Sequence, residues 1–284
     1  MDSTDRRLWN LTDLIRKTIV TCSEGIDRGG RYQTFVDEQV NDETSVISFN
    51  WDTLLDQALP DYCPPGAPMP NRHGLHWTFR EVCTAEAGTF TKGIDWGLPL
   101  PKVEARPSYL KLHGSVDAVI CRNQNCRRHM QPFRVNNCTE DHFCSECYEK
   151  VVPFIVPPIQ NKPIRQYHHI RRSWMLASRL IQQADEVMVW GYSLPVTDHW
   201  SKWLLGHIWM PDAHCRRLVI VNPEVASYSR AKKLTLPRRA FIDKFLPWKG
   251  LAHHQITVEA YEYYELFLKG DAVLHSSKLL RGST

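Results

Sequence analysis

Four short apolar runs, each ending on a small or hydrogen-bonding residue, constrain this chain more than any other feature. The runs are 45–49, 109–112, 187–190 and 218–221, and the residues that follow them are Asn50, His113, Gly191 and Asn222. β-branched and aromatic residues favour strands, and open α/β sheets bind ligands at the carboxyl ends of their strands. The pattern predicts an α/β protein with a mostly parallel, doubly wound, Rossmann-like sheet that gathers these residues at one crevice.

Composition supports a globular protein and gives no sign of a membrane or nucleic-acid partner. The 284 residues are 43% hydrophobic, and 35 Lys and Arg balance 31 Asp and Glu. Basic pairs are scattered among acids, which is typical of a solvated surface. No apolar run approaches the roughly 20 residues that span a bilayer, and the first residues lack the apolar core of a signal peptide. We expect a soluble, cytoplasmic protein.

Apolar residues at helical spacing and turn residues outline the rest of the chain. They predict helices at 8–22, 54–58, 167–183, 200–208 and 260–268, strands at 186–190, 217–221 and 255–258, a proline-rich extended connection at 60–70, and an irregular insertion at 72–101. Thr197 or Asp198 can cap the helix that begins near Trp200.

Two cysteine pairs lie in the middle of the chain. Cys121 and Cys126 form the first pair, and Cys144 and Cys147 form the second. Four thiolates at this spacing suit a tetrahedral zinc site with one pair on each knuckle. Three residues inside the loop can replace one of the ligands: His129, Cys138 and His142. The spacing predicts a structural zinc-ribbon insertion over 116–152, since so short a module cannot build a core of its own.

Five motifs, taken in order, resemble those of the sirtuin (SIR2) superfamily. They are Phe49-Asn-Trp-Asp52, Leu112-His-Gly-Ser115, the two cysteine pairs, Gly191-Tyr-Ser-Leu194 and Val221-Asn222. The resemblance runs from about Thr44 to Pro223. Gly-Tyr-Ser-Leu-Pro followed by Asp198 looks most like the bacterial SIR2-like NAD-hydrolysing domains of anti-phage defence systems. The Phe-Gly-Glu segment of the deacetylases is absent, because the matching place reads Phe154-Ile-Val-Pro-Pro158.

This resemblance implies that NAD+ is bound and cleaved between nicotinamide and ribose, as by an NAD+ glycohydrolase. It implies that Asn50 holds the nicotinamide ribose or the attacking water, and that Asp52 hydrogen-bonds the carboxamide. His113 would be the base toward a ribose hydroxyl or water, which suits the near-neutral pKa of an ordinary histidine.

At the other end of the nucleotide, the resemblance implies three further binding residues. Gly191 would allow a close approach of the main chain, Ser193 would bond a phosphate, and Asn222 would bond the adenosine ribose. It also implies a nucleotide domain over 1–115 and 153–284, interrupted by the zinc ribbon at 116–152.

The sequence departs from the family ahead of Asn50. The family's first strand and Gly-Ala-Gly turn, whose amides cradle the pyrophosphate, have no equivalent there. From this we expect weak NAD+ binding and slow turnover unless an upstream segment, a partner chain or a defence-system subunit supplies the turn; an oligomer is compatible with this. An NAD-dependent protein deacylase, favoured by the zinc ribbon, and a non-catalytic binding or scaffold module, favoured by the absent turn, are the alternatives.

Overall fold

The structure is a computed structural model, and it divides the chain into two compact units. The units are Met1–Met175 and Leu176–Thr284. The described residues are 3–23, 26, 30–41, 43–59, 76–77, 108–135, 138–157, 167–196, 198–228, 241, 243–246, 256–270, 272 and 274–276. The proline-rich connection at 60–70 lies outside the described residues, and so does the insertion at 72–101 apart from residues 76–77.

Four helices belong wholly or partly to the first unit. They are α1 (Ser3–Ser23), α2 (Arg31–Gln39), α3 (Leu54–Ala58) and α4 (His168–Gln183), the last of which crosses into the second unit. The predicted helices at 8–22, 54–58 and 167–183 are therefore confirmed within a few residues. None of the described helices is long and apolar enough to cross a bilayer.

A three-stranded parallel sheet carries the first two apolar runs side by side. Its strands are β1 (Val46–Ser48), β2 (His76–Trp77) and β3 (Ser108–Lys111), in the order β1-β3-β2. Val46 pairs with Tyr109, and Ser48 pairs with Lys111. A small core against this sheet includes Val36 of α2. The parallel register brings the carboxyl ends of β1 and β3 to the same edge.

A second, antiparallel sheet follows immediately in the first unit. Its strands are β4 (Gly114–Ile120), β5 (Pro132–Arg134) and β6 (Val152–Ile155), in the order β5-β4-β6. A turn at Leu112 and His113 separates β3 from β4, and Gly114 already pairs with Ile155 as the first residue of β4. The sheet thus extends beyond both ends of the predicted ribbon at 116–152.

The second unit contains a four-stranded sheet of order β10-β9-β8-β7. Its elements are β7 (Glu186–Trp190), α5 (His199–Gly206), β8 (Arg217–Val221), β9 (Thr257–Tyr261), α6 (Tyr264–Leu268) and β10 (Leu274–Ser276). β7, β8 and β9 are mutually parallel, whereas β10 is antiparallel. The α/β class with parallel strands is confirmed.

One predicted boundary in this unit is wrong. The closing helix was expected from residue 260, but β9 continues to Tyr261 and the helix begins at Tyr264. Ala260 and Tyr261 pair with Ile220 and Val221 of the buried neighbouring strand. Pairing with a buried strand satisfies the main chain there, so it prevails over the helical periodicity of the local sequence.

Candidate functional site

The ends of β1 and β3 join directly at His113. The Leu112 N–H donates to Ser48 O at 3.0 Å, which extends the ladder by one residue. The next residue, His113, places Nδ1 3.2 Å from the main-chain oxygen of Phe49. The predicted pair Asn50 and His113 therefore follows two strands that end at the same edge of one sheet.

The His113 ring is held by aromatic neighbours. Its centroid lies 5.7 Å from that of Phe49 and 5.7 Å from that of Trp174. Trp174 is fixed in turn, since its Nε1–H donates to Leu112 O at 2.9 Å. A neutral imidazole that donates from Nδ1 carries its lone pair on Nε2. The contact with Phe49 O favours this tautomer, which makes Nε2 the atom able to accept a proton.

Asn50 occupies the exposed part of the turn that follows β1. Its side chain is exposed, and its N–H donates to Ser48 Oγ at 3.2 Å. Asp52 is half-buried, and its Oδ1 accepts the Leu54 N–H at 3.0 Å, at the start of α3. Asn50 thus projects at the sheet edge, whereas one carboxylate oxygen of Asp52 is already engaged by the helix.

A buried polar network lies beside this turn, and sequence reasoning missed it. Lys111 Nζ is 3.0 Å from Asp56 Oδ2, with side chains that are 1% and 2% exposed. The same Asp56 oxygen accepts the Tyr109 hydroxyl at 2.8 Å. Lys111 also donates to the main-chain oxygen of Asp52. One strand therefore sends two donors, two residues apart and on one face, to a carboxylate of α3.

The electrostatics of the network follow from its burial. Burial raises the pKa of the Asp56 carboxyl, while the Lys111 ammonium acts in the opposite direction. Burial and then the adjacent Asp56 raise the pKa of Tyr109 well above its usual range. The sequence signal was an opposite charge in each of two apolar segments, Leu110-Lys-Leu112 and Leu54-Leu-Asp56. Charged residues are almost never fully buried unless paired.

In the second unit, Gly191 and Asn222 follow two neighbouring parallel strands. Gly191 has φ +70°, and its N–H donates to Val221 O at 2.8 Å. A Cβ at Gly191 would meet no atom of the described residues within 4 Å. Asn222 is buried, its Oδ1 accepts the Glu224 N–H at 2.8 Å, and its N–H donates to Tyr261 O at 3.0 Å. The two predicted binding residues therefore share an edge of this sheet.

Ser193 lies in a sharply bent loop after β7. Leu194 next to it has φ +46°, a left-handed conformation that bulky residues rarely adopt. Lys244, which sequence reasoning did not select, donates from Nζ to Ser193 O at 3.2 Å. Such strain is often stored at functional sites. It makes the loop a candidate binding segment.

Asp198 is the N-cap of α5, as one of the two predicted alternatives had it. Its Oδ1 accepts the Ser201 N–H at 3.2 Å, and its Oδ2 accepts the Tyr192 hydroxyl at 2.9 Å. Both carboxylate oxygens therefore have structural roles. Oδ1 caps the helix, and Oδ2 binds the loop that carries Ser193.

The structure thus forms two groups of predicted residues. Asn50, Asp52 and His113 lie together in the first unit, and Gly191, Ser193 and Asn222 lie together in the second.

The four predicted cysteine ligands come together in the first unit. Their Sγ atoms all lie within 4.8 Å of one another, in a group formed by Cys121, Cys126, Cys144 and Cys147. Cys138 is half-buried and packs against the same cluster, but it does not belong to this group. Among the described residues, neither His129 nor His142 joins the group.

Distances within the cluster suit a tetrahedral metal. Cys121 Sγ lies 3.5 Å from Cys147 Sγ, and Cys126 Sγ lies 3.7 Å from Cys144 Sγ. Zinc bonds of about 2.3 Å to each sulfur place tetrahedral ligands about 3.8 Å apart, whereas a disulfide brings two sulfurs to about 2.0 Å. The donor set therefore fits zinc and not two disulfides.

The main chain also shapes this cluster. Arg128 N–H donates to Cys126 Sγ at 3.3 Å, and Tyr148, with φ +58°, donates its N–H to Cys144 O at 2.9 Å. Burial raises the pKa of the Cys121 thiol to about 12. Burial also raises the pKa of Cys144, but N–H groups of Glu146 and Cys147 and the neighbouring thiols outweigh it, and the value falls to about 7.

No protein-family model matches the chain. No curated protein matches it either. Solved structures similar to this chain include Sir2 homologues and a sirtuin. A mutant Sir2 homologue with 2'-O-acetyl ADP ribose is 14% identical, with a TM-score of 0.43, over 93% of this chain and 71% of that one. Another Sir2 homologue mutant, with ADP ribose, is 14% identical, with a TM-score of 0.39, over 82% and 73%.

A third structure was solved for the basis of sirtuin substrate affinity. It is 20% identical, with a TM-score of 0.33, over 58% of this chain, and the match spans only 54% of that protein.

Proposed function

We propose that this chain is a SIR2-like domain that binds NAD+ and cleaves it at the bond between nicotinamide and ribose. The observation that carries the proposal is the contact of His113 Nδ1 with Phe49 O, 3.2 Å apart, beside the exposed Asn50. This contact joins Phe49-Asn-Trp-Asp52 and Leu112-His-Gly-Ser115, the two motifs that contain the proposed catalytic residues. Both motifs lie at the carboxyl ends of adjacent parallel strands, where such sheets bind ligands.

In this proposal, departure of nicotinamide leaves a cationic, oxocarbenium-like ribose carbon. Asn50 positions the ribose or the attacking water, since holding reactants in line supplies much of the rate. Asp52 hydrogen-bonds the carboxamide through the oxygen that Leu54 does not use. His113 accepts a proton at Nε2 from water or a ribose hydroxyl. The products are nicotinamide and ADP-ribose.

The motifs assign the adenosine half of NAD+ to Gly191, Ser193 and Asn222. Gly191 leaves space for a close approach of the nucleotide, because no atom in the described part of the chain lies within 4 Å of the position that a Cβ would take. Ser193 bonds a phosphate and Asn222 bonds the adenosine ribose. The first of these assignments rests on geometry together with the motif, and the other two rest on the motif alone.

Zinc is proposed as a structural ion held by Cys121, Cys126, Cys144 and Cys147. The sulfur distances of 3.5 and 3.7 Å support four thiolates on one ion. The ribbon at 116–152 is the metal module, and 1–115 with 153–284 forms the nucleotide domain. The motifs support a role in bacterial anti-phage defence, and the sequence-based expectation of a cytoplasmic protein is part of the same proposal.

The direct experiment is release of free nicotinamide from NAD+ by the purified chain, with and without an acetyl-lysine peptide. Release that does not depend on the peptide supports the hydrolase. Release that depends wholly on the peptide assigns the chain to the NAD-dependent deacylases. The third outcome is that calorimetry detects NAD+ binding but no nicotinamide is released, even when a partner supplies a glycine turn. That outcome would identify the chain as a non-catalytic binding module.

A further inference from the structure

The turn that carries Asn50 is held through its main-chain oxygens. Three of them have donors from the segment 111–116: His113 Nδ1 near Phe49 O, Val116 N–H to Trp51 O at 2.8 Å, and Lys111 Nζ to Asp52 O. The Asn50 side chain lies between these fixed points and is exposed. His113 and Val116 lie beside the site already described, whereas Lys111 belongs to the buried network.

A lysine is unusual at so buried a position as 111. Both it and Asp56 are excluded from solvent, and desolvation of two charges can cost more than their attraction returns. Apolar residues of similar volume in place of a buried pair are often neutral or stabilising. Stability alone therefore does not explain why the sheet contains a lysine here.

An apolar side chain at position 111 cannot donate to the Asp52 carbonyl. The ammonium can, and Asp56 fixes where the ammonium sits, because its carboxylate is itself held by the Tyr109 hydroxyl at 2.8 Å. The network thus connects strand β3 to the turn through the Lys111 ammonium. Charge-assisted hydrogen bonds are shorter and stronger than neutral ones.

We propose that the buried Lys111–Asp56 ion pair is a positioning pair, which fixes the Asn50-Asp52 turn for the cleavage step through the Asp52 main-chain oxygen. This inference rests on the proposed function. Neither residue contacts the substrate. Both act on the position of Asn50 and Asp52, so their loss slows turnover without abolishing nucleotide binding.

The test removes the three polar side chains of the network together, so that none of the three is left without the other two. The variant combines Tyr109→Phe, Asp56→Leu and Lys111→Met. We expect it to fold, to lose about tenfold to a hundredfold in kcat, and to keep its affinity for ADP, which lacks both the nicotinamide and the ribose that Asn50 would hold. Amide hydrogen exchange of the segment 49–55 should become at least about tenfold faster. Wild-type kcat together with wild-type exchange would overturn the proposal.

A second variant keeps the test decisive if the triple variant does not fold. Asp56→Asn retains volume and an acceptor for Tyr109 but removes the charge that holds Lys111. Its matched control is Glu259→Gln, because the buried Glu259 has similar partners. Its carboxylate accepts one hydrogen bond from the Tyr261 hydroxyl at 2.6 Å and another from the Arg217 guanidinium at 2.8 Å. Only Asp56→Asn should lower kcat and speed exchange at 49–55. Equal effects of the two would refute a positioning role.

The exchange measurement separates this inference from the proposed function. If the wild-type protein releases no nicotinamide, the proposed function fails, and exchange at 49–55 in the variants still decides whether the pair holds the turn. If the wild type is active and exchange in the variants is unchanged, the positioning role alone fails.

Discussion

His113 Nδ1 lies 3.2 Å from the main-chain oxygen of Phe49, so one imidazole links the ends of two parallel strands. The same contact sets which ring nitrogen carries the lone pair. A ring that is both fixed and oriented in this way matches what general-base catalysis needs.

The first prediction concerns that ring and its neighbour. His113→Ala and Asn50→Ala should each lower the rate of nicotinamide release by roughly a hundredfold or more, because proton transfer or positioning is lost. Release is followed by chromatography under saturating NAD+. His207→Ala is the control, since its Nδ1 also lies 3.1 Å from a main-chain oxygen, that of Trp203. An equal loss in that control would argue for a general folding defect.

The second prediction concerns metal content. Freshly reduced, unchelated protein should contain about one zinc per chain, and replacing Cys144 with Ser should lower this below about half an equivalent. Cys138→Ser should retain the metal, because Cys138 packs beside the cluster without belonging to it. Elemental analysis of the three proteins measures this, and loss of zinc from Cys138→Ser would mean that the ligand set is wrong.

Zinc binding should also release protons in a pH-dependent way. In the folded cluster, N–H groups and neighbouring thiols outweigh burial and lower the pKa of the Cys144 thiol to about 7, whereas burial raises that of Cys121 to about 12. At pH 8 Cys144 is already mostly ionised and gives up almost no proton, whereas at pH 6 it gives up almost a whole one. Cys121 gives up a whole proton at both. Proton release should therefore be larger at pH 6 than at pH 8.

Calorimetric titration of zinc into metal-free protein, in buffers of different ionisation enthalpy, measures that release. A release that falls between pH 8 and pH 6 would contradict the assigned pKa of Cys144.

The fourth prediction contrasts two glycines of positive φ. Gly114→Ala would place a Cβ 1.9 Å from Phe154 O, whereas Gly191→Ala would meet nothing within 4 Å. We expect Gly191→Ala to cost about 1–2 kcal/mol, the usual cost of a left-handed alanine. Gly114→Ala should exceed about 4 kcal/mol, because main-chain atoms of two paired strands must separate. Urea unfolding gives both values, and equal values would refute the close approach of Gly114 and Phe154.

Much of the fold was predictable because short apolar runs and turn residues carry it. The strands Glu186–Trp190 and Arg217–Val221 have the predicted bounds, since each run ends at a residue that changes the backbone direction. The helix predicted from residue 260 was wrong because pairing between distant strands, which local periodicity does not encode, sets the end of β9.

The residues of the candidate site were likewise only partly predictable from the sequence. Motif residues such as Asn50 and His113 could be selected from the sequence, because they follow strands and carry polar groups. The pairing of Lys111 with Asp56 could not, since the two residues are far apart in the chain and only the packing of α3 on β3 brings them together. Lys244 beside Ser193 is a similar case, and its contact depends on a fold that brings distant residues together.

The antiparallel sheet of the first unit has a consequence for how the metal module can vary. The chain leaves His113 at Gly114 and returns to it where the Val156 N–H donates to His113 O at 2.8 Å. The insertion is thus a loop closed on one residue, and closure becomes only slowly more costly as a loop lengthens. Its outer end can gain or lose residues over evolution without displacing the imidazole. A single residue inserted between His113 and Gly114 would shift the register of β4 and turn the ring away from Phe49.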